Sequence, residues 1–165
     1  MDIGKMFKSS MMIAAIIAIV WSIISNIISI GIIVMFAVPT LEMAFIMLLV
    51  GLVLLAIALL IPLVLGFIAA GKYAAGSKID ILDGAITGIV ASVTYTVVSA
   101  IVGIVFLFIN LLLGIGDYGA SVAELGLVLA IVASVIGLII GVVISLVLNA
   151  IAAAIGGAIK ALLSK

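Results

Sequence analysis

The chain has 165 residues, 70% hydrophobic and 7% charged, with six lysines against six acids and a mean hydropathy of +1.83, whereas a soluble domain carries about 25% charged residues. Its exterior must be largely apolar, which is stable in lipid and excludes a water-soluble globule. Zero net charge with no basic run excludes a nucleic-acid footprint, and the absence of Cys and His removes disulfides, thiol chemistry and the usual ligands of zinc or haem.

The opening MDIGKMFKSSMMIAAIIAIVWSIIS has the basic start and apolar centre of a signal peptide. Its uncharged run continues past Met35, beyond the roughly 7–15 residues of a cleavable core, and so predicts a retained first span over 9–38. Ahead of it, Ile3, Met6, Phe7 and Met11 recur at helical spacing around Lys5 and Lys8, which predicts a short interfacial segment over 1–8. Within the span Ser22, Ser25, Asn26 and Ser29 share one face bordered by Trp21. That face suits interhelical hydrogen bonding; with Asn110 and Asn149 it would instead form one wall of a polar pathway.

Span two covers 43–70, with Thr40 after Pro39 as a candidate cap. Pro62 deletes one amide, frees the carbonyl of Ala58 and predicts a kink. The next stretch, GKYAAGSKIDILDG, holds Lys72, Lys78, Asp80 and Asp83. The lysines anchor the end of span two, and the acids complement the start of the next helix. Tyr73 and Tyr118 take aromatic-belt positions at opposite surfaces.

Span three, 84–113, carries a four-residue row of small and polar side chains: Gly84, Gly88, Ser92, Thr96 and Ala100. Tyr95 beside it calls for a partner on an adjacent helix. Ser121 and Glu124 have capping-box spacing and open span four, 122–159, in which Gly137, Gly141, Ser145, Asn149, Ala153 and Gly157 repeat the same interval. Such rows let helix backbones approach closely, so spans three and four are expected to pack together. Residues 158–165 are expected to lie in the interface after a bend at Gly156–Gly157. The endings LVLGFIAAG of span two and LVLNAIAAA of span four are alike, whereas spans one and three do not align.

Every lysine falls before span one, between spans two and three, or after span four; the other two loops hold only Glu42, Asp117 and Glu124. The positive-inside rule therefore puts both termini in the cytoplasm. The expected fold is all-α: one transmembrane domain, a four-helix bundle of two hairpins, N-in/C-in.

The segment GFIAAGKYAAGSKIDILDGAITGIVAS resembles the Gly-rich inter-helix segment of small archaeal polytopic membrane proteins. The likeness rests on Gly66, Ala69, Gly71, Gly76, Ser77, Asp83, Gly84, Ala85 and Gly88; KIDIL makes the turn longer than theirs. The resemblance implies a membrane location and no particular activity.

Intramembrane ionisable groups signal function by default, and the acids here all fall at helix ends. No catalytic residue, metal ligand or cofactor site is expected. The lipid bilayer is the expected partner, together with other membrane chains or further copies of this one, in a structural or accessory role. The alternative is a small channel, transporter or holin-like pore for ions or neutral solutes.

Overall fold

The structure is a computed structural model that describes residues 3–35, 41–75, 77–113 and 127–164. It contains four helices: α1, Ile3–Met35; α2, Leu41–Ala74; α3, Ile81–Leu113; and α4, Leu127–Leu163. At 1.5 Å per residue they are about 50–55 Å long. Each contains a stretch long and apolar enough to cross a bilayer: Gly4–Ile32, Phe45–Ala74, Ile81–Asn110 and Ile131–Leu163. The described residues include no strand.

The helices run beyond the uncharged stretches. Residues 3–8, expected as a separate interfacial segment, are the first turns of α1, and Met6 and Ser10 are wholly buried there. At the other end α4 continues through Gly156 and Gly157 to Leu163, because both glycines are locked against neighbouring backbones, as described below. Helix α2 likewise runs through Pro62. Thr40, Tyr118 and the Ser121–Glu124 capping box lie outside the described residues.

The joint between α2 and α3 is built by local hydrogen bonds. Ala75 takes a left-handed φ of 47° while its amide still donates to the Gly71 carbonyl at 3.2 Å; the Ser77 amide closes back on Ala74 at 2.9 Å. The Asp80 carbonyl receives the first helical bond of α3, from Gly84 at 3.0 Å, and its Oδ1 accepts from the Ile81 amide at 2.8 Å. Asp80 is thus the N-cap, and Asp83 adds a second acid in the first turn.

Helices α2 and α3 touch each other, and each touches both α1 and α4; the described residues of α1 and α4 do not meet. Around the bundle the order is α1, α2, α4, α3. Packing is concentrated in the half that carries Lys5, Lys72 and Lys160, called here the lysine end. In α2 the side chains from Phe45 to Leu60 are exposed or half-buried, whereas Pro62, Leu65, Gly66, Ala69, Ala70, Tyr73 and Ala74 are buried. Helix α1 contributes a buried row at four-residue spacing: Met6, Ser10, Ala14, Ala18 and Ser22.

Glycine makes this half possible. A Cβ built on either Gly66 of α2 or Gly88 of α3 would overlap the Ala153 carbonyl of α4, so one backbone oxygen marks a three-helix junction. Gly84 and Gly157 face each other's carbonyls, and Gly156 lies against the Leu63 carbonyl. In a bilayer, apolar surface would give helices no preference for one another over lipid tails, and close backbone contact of this kind would supply much of the association. Two lysines close the same end over aromatic rings: Lys5 Nζ stands 5.2 Å from the Tyr73 ring centre and Lys160 Nζ 5.2 Å from that of Phe67. Tyr73 is accordingly buried between α1 and α2.

Candidate functional site

Above the glycine junction the helices part and leave a cleft of about 340 Å³ to which all four contribute. From α1 come Trp21, Ser22 and Ser25, and from α2 Ala58. The α3 wall carries Tyr95, Thr96 and Ser99 and ends at Gly103. The α4 wall runs from Asn149 through Ser145 and Gly141 to Leu138. At 1.5 Å per residue, Asn149 lies about 16 Å along α4 from Lys160, and Ala58 about 24 Å along α2 from Glu42, which puts the cleft in the middle of the spans.

The floor is polar and cross-braced. Asn149 Nδ2 donates to Thr96 Oγ1 at 3.0 Å, a buried bond between α4 and α3 of a kind that averages about 0.6 kcal/mol in membrane proteins. One turn toward the lysine end the Ala153 carbonyl meets Gly66 and Gly88, so the cleft is closed below. Its lining extends only away from the lysines, toward Gly103 and Leu138.

The hydroxyls divide into two sets. Ser9, Ser10, Ser25 and Ser29 on α1, and Thr87, Ser92 and Thr94 on α3, donate to carbonyls of their own helices at 2.7–3.3 Å, the ordinary fate of a hydroxyl in an apolar helix. Ser22, Ser99 and Ser145 do not. Ser99 Oγ is buried with no hydrogen-bond partner, although the Tyr95 hydroxyl lies beside it. All three serines line the cleft, one each from α1, α3 and α4. Ala58 is the residue whose carbonyl loses its helical donor to Pro62, and it too borders the cleft.

The residues singled out from the sequence are redistributed accordingly. Of the α1 polar face, Ser22 and Ser25 reach the cleft; Asn26 is used up on the Ser22 carbonyl at 2.7 Å, and Ser29 is exposed. Asn110 is not among the lining residues, and its Oδ1 is buried without a partner. The small-residue rows are also split. Gly84, Gly88, Ser92, Thr96 and Asn149 are buried in helix contacts, whereas Gly137 and Gly141 have nothing within 4 Å of a built Cβ and Ser145 is exposed. Spans three and four therefore pack tightly over one half of their length.

Tyr95, expected to bond an adjacent helix, meets Ser99 one turn along its own. Ser99 itself was not marked by the pattern of small rows. The interval Tyr95, Ser99, Gly103, parallel to the row through Ser92 and Thr96, was the available signal. Two further clefts, about 200 Å³ between α1 and α2 and about 490 Å³ between α2 and α4, are walled by aliphatic side chains and suit lipid tails. Among the described residues no three His, Cys, Asp or Glu side chains converge. No protein family, curated protein or solved structure matches this chain.

Proposed function

We propose that the chain is a non-enzymatic integral membrane protein, both termini cytoplasmic, that serves as a structural or accessory subunit assembled with copies of itself or with other membrane chains. The observation that carries this reading is the half-used ridge on α4. Asn149, Ala153 and Gly157 are in close contact within the bundle, while Gly137 and Gly141, one continuation of the same row, face open space. A row that admits a helix backbone along its first half has the shape to admit another along its second.

The test is Gly137→Leu, which lies outside the cleft lining. In native-like detergent the wild type is expected to run as an assembly and the variant as a folded, smaller species. Unchanged mobility of Gly137→Leu would remove the basis of the reading. A second reading, a channel, transporter or holin-like pore, draws support from the polar cleft alone; the backbone seal beneath it speaks against a path through a single copy. Passage of small neutral solutes in proteoliposomes is its direct measure.

A further inference from the structure

We propose that the mid-membrane cleft is a binding site for an uncharged ligand that carries hydroxyl groups: the head of a neutral lipid, or a free polyol. Gly141 belongs both to this cleft and to the α4 row proposed above for assembly, so the ligand site is open where no further helix covers that face. Helical serines normally quench themselves on the carbonyl three or four residues back, and those outside the cleft do so here. Ser22, Ser99 and Ser145 come from three different helices and border one space; none donates to a carbonyl of its own helix, and Ser99 Oγ, beside the Tyr95 hydroxyl, is buried with no hydrogen-bond partner. An unmade bond at a buried hydroxyl is unfavourable. The buried Ser99 Oγ is the hydroxyl for which this applies, and with Ser22 and Ser145 facing the same space it marks a position where an external donor and acceptor belongs.

The ligand's chemistry follows from the walls. Among the described residues no Asp, Glu or Lys lines the cleft, and a charge at this depth would be without a counter-ion, so the ligand is neutral. Each serine both donates and accepts, and the Ala58 carbonyl freed by Pro62 adds an acceptor. That array matches adjacent hydroxyls or an ester next to a hydroxyl. Leu138, Val142 and Ala100 supply apolar wall beside them, suited to a carbon skeleton. The volume, about 340 Å³, is at the small end of ligand pockets, enough for a head group and not for whole acyl chains.

Trp21 is the sole tryptophan of the chain and borders the cleft, so the protein's tryptophan emission comes from the wall of this site. Full-length protein in phosphatidylcholine nanodiscs would be titrated with dioleoylglycerol and, separately, with glycerol in the buffer. A saturable change in Trp21 emission with at least one of them is expected, and which one assigns the source to bilayer or water. Dioleoyl phosphatidic acid, the charged counterpart, is expected to give none.

The triple variant Ser22→Ala, Ser99→Ala, Ser145→Ala should weaken the response about tenfold or more, as loss of several hydrogen bonds requires. Gly103→Leu places a side chain in the open space at the top of the α3 wall and should abolish the response without disturbing the fold. Three results would each overturn the proposal: no saturable change with either neutral probe, equal binding of phosphatidic acid, or wild-type binding by Gly103→Leu.

Discussion

Ala75 shows how a single backbone angle ends a helix. With φ at 47°, its methyl crowds the adjacent carbonyl, a strain of roughly 1–2 kcal/mol that glycine does not feel. The position directly after Ala74, with its amide turned back to Gly71, is the one where glycine usually stands. Replacement relieves the strain but also loosens the unfolded chain, an offset of about 0.4–1 kcal/mol. Ala75→Gly is therefore expected to raise the unfolding free energy by about 0.5–1 kcal/mol. The neighbouring change Ala74→Gly, inside the helix and buried, is expected to lower it by about 1 kcal/mol. Reversible unfolding in mixed micelles compares the two, and the same sign for both would contradict this helix end.

Along a whole helix, the question is which glycines are structural contacts and which are merely apolar filler. On α3, Gly88 abuts the Ala153 carbonyl, while on α2, Gly51 has nothing within 4 Å of a built Cβ. Gly88→Leu must push α4 away along with the Gly66 contact that shares the same oxygen. A loss at or beyond the upper end of the roughly 1–3 kcal/mol of ordinary overpacking is expected. Gly51→Leu projects away from the bundle and should be neutral or mildly stabilising, since glycine is the poorer helix former. Thermal denaturation of both variants followed by circular dichroism reads the difference; equal midpoints would dissolve the three-helix junction.

The sequence row containing Gly84 and Gly88 runs along this contact, because four-residue spacing of small side chains lets backbones approach. The same row on α4 overran its partner. Spacing says which face is narrow but carries no information on how far along that face a neighbour extends, and so Gly137 and Gly141 were indistinguishable from Ala153 and Gly157. The four helices were legible for a similar reason, since hydropathy is local, but their ends were not: α2 runs to Ala74 and α3 starts at Ile81, beyond the 43–70 and 84–113 of the uncharged runs. The cleft was not legible either. It arises where four helices diverge, and Ser99 acquires meaning only beside Ser22 and Ser145, which are distant in the chain.

The entire bundle is asymmetric from one end to the other: tightly closed at the lysine end, parted beyond Asn149. Orientation consequently decides which leaflet the cleft lies toward. Five described lysines, Lys5, Lys8, Lys72, Lys78 and Lys160, belong to the closed end, and lysine retention in the cytoplasm would turn the parted half to the opposite leaflet. The chain contains no cysteine, so a single introduced one is read without background. Ser77→Cys, in the exposed joint between α2 and α3, is expected to resist an impermeant maleimide on intact cells and to react after permeabilisation. Asp117→Cys, in the lysine-free loop of the sequence, is expected to react from outside. The reverse pattern would place the lysines outside and the approach to the cleft on the cytoplasmic side, and a neutral ligand would then have to arrive from the inner leaflet.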